Sequence, residues 1–113
     1  PFDLSTLFGN MMDNAIESVQ KIEDKERRLI HLLIAKERNF VRIRLENCYE
    51  GEMIFEGNLP QTTKEEKDYH GYGLKSIHNI VNKYDGSVII EANNGWFELR
   101  ILIPIREHDF INY

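Results

Sequence analysis

Two asparagines four residues apart, in the run Asn10-Met11-Met12-Asp13-Asn14, are the first side chains in this sequence with chemistry to offer. At about 100° per residue they share one face of a helix, on the border of its apolar stripe. A carboxamide oxygen is a hard ligand suited to Mg2+, and the amide NH2 donates to phosphate oxygens. The same pair also reads as two polar residues flanking a core stripe. A second patch, Asn47-Cys48-Tyr49-Glu50-Gly51, places a lone amide at a strand end. There it can accept from an exocyclic amine and donate to a ring nitrogen, and Gly51 lets the backbone turn closely under a planar ring. The alternative is an asparagine that caps a turn. The third patch is His70-Gly71-Tyr72-Gly73-Leu74-Lys75-Ser76-Ile77. Two glycines leading into a helix let backbone N–H groups wrap an anion at the helix's positive end. It is not a G-x-G-x-x-G fingerprint, because Ser76 stands where the third glycine would be, and no P-loop pattern is present.

The elements that must position these patches follow from periodicity. Leu4, Leu7, Phe8, Met11, Ala15, Val19 and Ile22 recur at three- and four-residue spacing, which predicts a helix from about Asp3 to about Lys21 with Asp3 as its N-cap. The charged run Glu23–Arg28 reads as a solvated connection. Two strands are expected over Leu29–Ala35 and Phe40–Asn47; in the second, Val41, Ile43 and Leu45 alternate with Arg42, Arg44 and Glu46, and Asn47 continues the buried face. From Cys48 to His70 no periodicity survives, and a loop of that length is uncommon unless functional or disordered. A second helix is expected from about Gly73, with Leu74, Ile77, Val81 and Tyr84 inward and Gly86 as its C′ glycine. Val88–Ala92 and Trp96–Pro104 flank Asn93-Asn94-Gly95 and predict a closing hairpin. The order is helix, two strands, long loop, helix, two strands: a two-layer α/β (α+β) sandwich with helices on one face of the sheet.

Composition bounds the function. The 113 residues suffice for one domain, and 42% hydrophobic with 29% charged residues is ordinary for a globular protein. A formal charge of -5 argues against binding a nucleic-acid backbone. The apolar runs Leu29–Ala35 and Ile101–Ile105 fall far short of the ~20 residues of a membrane helix. The single cysteine, Cys48, allows neither an internal disulfide nor a cluster of zinc-binding thiolates, which makes a reducing, cytosolic setting the default. The abrupt opening on Pro1-Phe2-Asp3 leads us to expect a domain of a longer chain.

Taken together and in this order, the three patches resemble the GHKL superfamily of gyrase, heat-shock chaperone, histidine kinase and mismatch-repair ATPases, built on the Bergerat fold. Within it the sequence is most similar to the kinase domain of peptide-sensing, Agr-type quorum-sensing receptors. The matching stretches are Leu7 to Glu17, the Asn47 strand end, Thr62-Thr63-Lys64, and His70 to Ile77. The resemblance implies a mixed, mainly antiparallel sheet and an ATP lid over about residues 48–70. It implies ATP and Mg2+ as ligands, with Asn10 holding the metal and Asn14 touching phosphate or the metal shell. Asn47 and Gly51 would lie at the adenine and Lys64 would contact phosphate; Gly71 and Gly73 would let the end of the lid and the helix N-terminus approach the phosphates, with His70 and Leu74 also at the nucleotide. As partners it implies phosphoacceptor helices absent from this sequence and a response regulator, in the cytoplasmic part of a membrane-anchored, homodimeric bacterial receptor. No nucleic acid and no direct membrane contact by this domain are expected.

Two departures bear on chemistry. Asn47 stands where most of the superfamily carries aspartate, so a charge-assisted hydrogen bond to the adenine amine is lost, and Tyr49 replaces a glycine of the pocket floor. Thr6 occupies the position where many relatives have a glutamate base. Attack by water needs a base to take its proton, whereas a neutral imidazole already has its lone pair. The missing base therefore favours histidine phosphorylation over hydrolysis; Asp3 and Glu17 lie near the same helix face as possible substitutes. His31 falls in a strand, His78 on the second helix and His108 in the tail, and none sits on a phosphotransfer hairpin, so autophosphorylation by this fragment alone is not expected. A degenerate nucleotide-binding or protein-interaction module and an anti-sigma-type serine kinase are the alternatives.

Overall fold

The computed structural model of the protein describes residues 2–51, 54–56, 59–61 and 67–105, with the backbone alone for Phe2, 54–56, 59–61 and 67–72. The first helix, α1, spans Phe2–Gln20. Its apolar stripe buries Leu7, Met11, Ala15 and Val19, and Ile22 just beyond it is buried as well. Asp3 is not the N-cap, because the helix already includes Phe2. The charged connection makes a single 3-10 turn, Lys25–Arg27, in which Asp24 accepts from the Glu26 N–H at 3.0 Å.

Strands β1 (Ile30–Glu37) and β2 (Phe40–Cys48) form a hairpin closed by Arg38-Asn39, with Glu37 opposite Phe40. After α2 (residue range below) come two more long strands, and all four make one sheet in which every neighbouring pair is antiparallel. The segment expected to lack structure holds a short antiparallel ladder, β3 (Ile54–Glu56) with β4 (Leu59–Gln61). Three-residue strands are too brief for an alternating pattern to register in the sequence. The second helix, α2, spans Lys67–Lys83 and so starts six residues before the expected Gly73. Two glycines each cost about 1 kcal/mol in a helix, which is why the sequence pattern points to a later start. Strands β5 (Ser87–Asn93) and β6 (Trp96–Pro104) close the chain. Their two-residue loop, Asn94-Gly95, has positive φ at both residues (54° and 80°), the I′ geometry that an Asn-Gly pair favours.

The sheet order is β1-β2-β6-β5. Period-two alternation gives it one apolar face: Ile43, Leu45 and Asn47 of β2 with Phe97, Leu99, Ile101 and Ile103 of β6. Both helices pack there, through Leu7, Met11 and Ala15 of α1 and Leu74, Ile77 and Val81 of α2. A smaller cluster of Val19, Ile22 and Cys48, with Ile30 and Trp96, seals the end of α1. The opposite face carries an ionic ladder in which Arg44 bridges to Glu98 at 2.9 Å and Arg100 to Glu91 at 2.6 Å. Such exposed pairs contribute little individually, about 0–1 kcal/mol. The result is a two-layer sandwich of the Bergerat type. No helix among the described residues is long and apolar enough to cross a membrane.

The end of α2 shows why a glycine stands at 86. The N–H of Gly86 donates to Val81 O at 2.9 Å and that of Asp85 to Asn82 O at 3.0 Å, a Schellman pair. The left-handed residue is Asp85 (φ 60°), so Gly86 is not the αL glycine the sequence suggested. Its role is steric: a Cβ there would lie 2.6 Å from Leu102 O and 2.8 Å from Val81 Cγ1. The helix end thus rests directly on β6. Gly86→Ala should destabilise the domain by about 1–3 kcal/mol through overpacking. The check is a lower urea midpoint at unchanged m-value; a midpoint equal to that of the parent would refute so close an approach.

Candidate functional site

The two helices run antiparallel across the sheet, since α1 meets the end of α2 through Asp3 and the beginning of α2 through Asn14. At the second meeting point a Cβ on Gly73 would sit 3.8 Å from Asn14 Oδ1 and 3.9 Å from Asn14 Nδ2. The Asn14 carboxamide therefore lies over the Gly73 backbone, and two patches 59 residues apart in sequence (73 minus 14) become neighbours. Asn10 is half-buried one helical turn earlier on α1, on the same side. Leu74, next to Gly73, turns into the core with 4% of its surface exposed.

Asn47 is the one buried polar or charged side chain among the described residues, at 1% exposure. Period two fixes it on the helix-covered face of β2, between Ile30 of β1 and Phe97 of β6. Its Nδ2 donates to Cys48 O at 3.0 Å. An amide buried so deeply is costly unless it is hydrogen-bonded, so this contact, which uses one of its two N–H donors, orients it. Just beyond, Tyr49 is half-buried against the main core and its N–H donates to Gly95 O at 2.9 Å. Gly51 has φ +88° with open space where a Cβ would be, so backbone conformation, and not crowding, calls for glycine there.

The earlier start of α2 changes the local reading of the third patch. Gly71 and Gly73 lie within the helix, in its second turn, so they do not lead into it. The N–H groups left open at the helix N-terminus belong to residues 67–70, His70 among them. Lys64 lies outside the described residues, as does most of the connection between β4 and α2.

At the far end of the helix pair, sequence reasoning missed a clasp. Tyr84 Oη donates to Asp3 Oδ2 at 2.6 Å, and Lys83 Nζ bridges to the same oxygen at 2.9 Å. Nothing local in the sequence pairs residues 80 positions apart; only helix packing does. The Tyr84 hydroxyl first, then Lys83, hold the Asp3 carboxyl below its ordinary value of 3.8. The Asp3 contact in turn raises the Lys83 ammonium above its usual range. A carboxylate so held by Tyr84 and Lys83 is a poorer base. Asp3 is thus ill suited to replace the glutamate missing at Thr6.

The donor set at the Asn14–Gly73 end suits a hydrated cation better than a bare one. Among the described residues no three of His, Cys, Asp or Glu gather as ligands. Mg2+ characteristically keeps waters and phosphate oxygens and takes only one or two protein oxygens, which the carboxamides of Asn10 and Asn14 can supply. The residues present fit that metal when it arrives with a polyphosphate.

Because folding depresses the Asp3 pKa, its stabilisation is fully present above the unfolded value near 3.8 and is lost as pH falls through the lowered folded value. Tyr84→Phe should therefore cost about 1 kcal/mol at neutral pH and progressively less in acid. Thermal unfolding of both proteins from pH 7 down to pH 2 checks this; a gap that is independent of pH would assign the loss to packing instead.

Residues 1–104 match the family model described as a GHKL domain. No curated protein matches the chain.

Proposed function

This chain belongs to the GHKL domain family of ATP-binding domains, and we propose that within it the chain is the catalytic domain of a sensor histidine kinase of the peptide-sensing, Agr-like kind. The observation that carries the proposal is the Asn14 carboxamide set over Gly73, with Asn10 one turn away on α1, while the adenine-type amide of Asn47 is buried on the sheet face that both helices cover. In this reading Asn10 holds Mg2+, Asn14 contacts phosphate or the metal's water shell, and Asn47 meets the adenine edge. The metal, when bound, neutralises charge developing on the transferred phosphoryl group. The protein's share is positioning. The bond between the γ-phosphorus and the β,γ-bridging oxygen breaks, a P–N bond to a neutral imidazole forms, and ADP leaves. With Thr6 in the glutamate position and Asp3 clasped at the other end of the helix pair, neither of these two positions offers water a base. That suits an imidazole nucleophile, which needs none.

The acceptor histidine would be carried on dimerisation helices of the parent receptor and the phosphoryl group passed to a response regulator. The domain would then work on the cytoplasmic side of a membrane-anchored protein. An alternative is a module that has lost catalysis, favoured by the way Asn47 already spends its amide on Cys48 O and by the half-buried Tyr49 beside it.

Titrating the domain with ATP, with and without Mg2+, separates these. Saturable, Mg2+-assisted binding that weakens at least about tenfold in Asn10→Ala, or about 1.4 kcal/mol, supports the nucleotide site. Joining the domain to its parent's upstream helices should then yield acid-labile phosphate. No binding up to millimolar nucleotide leaves the degenerate module.

A further inference from the structure

Among the described residues strand β1 is an edge strand, and apart from Lys36 near its end it lacks the usual protections of an edge. Leu32 (44% exposed), Leu33 (52%) and Ile34 (53%) follow one another along it, and its only charged residues besides His31 are Lys36 and Glu37 at one end. The exposure is on both faces. Leu32 and Ile34 stand opposite Leu45 and Ile43 and so point to the helix side, where α1 and α2 leave them uncovered; Leu33, opposite Arg44, points to the other side. A docked helix would cover one face and leave the other. Only another strand covers both and also satisfies the open backbone.

The phase of the open backbone is fixed by a contact at the start of the hairpin. Cys48 N donates to Leu29 O at 3.1 Å, so Leu29 and Cys48 are a hydrogen-bonded pair. Alternation then turns the N–H and C=O of residues 31, 33, 35 and 37 toward β2, and those of Ile30, Leu32, Ile34 and Lys36 toward the free edge. In a symmetric antiparallel pair, open-edge residues must face open-edge residues. Only a two-fold axis at an individual residue allows that; an axis between two residues would set open against closed.

With the axis at Leu33, Leu32 faces Ile34 of the second copy, Ile30 faces Lys36, and all four open-edge residues find partners. On the other face Leu33 meets Leu33, His31 meets Ala35 and Leu29 meets Glu37. No like charges oppose one another. With the axis at Ile34, Leu32 would instead face the Lys36 ammonium and Ile30 would face Arg38 in the turn, beyond the strand. From this self-complementarity we infer that two copies of this chain pair antiparallel through β1, with the two-fold axis at Leu33, to give one continuous eight-stranded sheet (twice the four of the single chain). The inference is independent of the nucleotide reading, and β1 lies at the opposite sheet edge from β5, the strand alongside α2.

Eight residues at about 3.4 Å each make an edge roughly 27 Å long, so the contact belongs to the small, weak class of interfaces. Sedimentation of the 113-residue chain from about 1 µM to about 1 mM, a range chosen for that class, should show a mass rising from 13.4 kDa toward twice that value. Leu33→Lys should hold it at 13.4 kDa with an unchanged circular dichroism spectrum. The register is tested by oxidation. A non-hydrogen-bonded antiparallel pair has Cα atoms about 4.5 Å apart, within disulfide range, so Leu33→Cys should cross-link to a dimer. Ile34→Cys, which would face Leu32, should not, and the parent chain with its buried Cys48 is the control. Cross-linking through Ile34→Cys but not Leu33→Cys overturns the pairing as described. A mass of 13.4 kDa at every concentration overturns it altogether and leaves the edge to a strand from another protein.

Discussion

The register between β2 and β6 is the constraint on which the rest of the structure depends. Asn47 opposite Phe97, Leu45 opposite Leu99 and Ile43 opposite Ile101 put the inward residues of the two central strands side by side. A slip of one residue would turn Ile43 and Leu45 to solvent and bring Arg42, Arg44 and Glu46 under the helices. It would also turn Asn47 out of the buried layer between sheet and helices. Sheet register and site are therefore one constraint: the apolar neighbours that stabilise the pairing also hold the polar residue in place.

The helix pair depends on that surface in turn. Leu7, Met11 and Ala15 set α1 on the sheet, and Leu74, Ile77 and Val81 set α2 beside it. Once both are seated, their ends meet in chemically distinct ways. One end is fastened by Asp3, Lys83 and Tyr84, with the Schellman turn and the Gly86 contact holding α2 against β6. The other end brings the Asn14 carboxamide over the Gly73 backbone.

Two helices cover the inner face of the central strands but reach β1 only at Ile30. Helical side chains reach Ile43 and Leu45 of β2, while Leu32 and Ile34, their neighbours on β1, remain about half exposed. Sheet width, then, exceeds helix cover by one strand, and the open edge is its visible consequence.

Much of this was legible in the residues. The α1 stripe, the alternation in β2, the Asn-Gly turn and the polar positions Asn10, Asn14 and Asn47 rest on local chemistry, namely periods of 3.6 and 2 and the φ > 0 tolerance of Asn-Gly, which a linear sequence carries without loss. What required the fold was every relation between distant segments. Residues 67–73 are helical despite two glycines, Asp3 is a partner of Tyr84 and no cap, and Gly86 is chosen for space and not for φ. Asn14 and Gly73 are neighbours only because the helices run antiparallel on one sheet face. The sequence by itself determined which residues had to be buried and which could bind; the tertiary structure decided which of them meet, because contacts across tens of residues depend on packing geometry that no local period encodes.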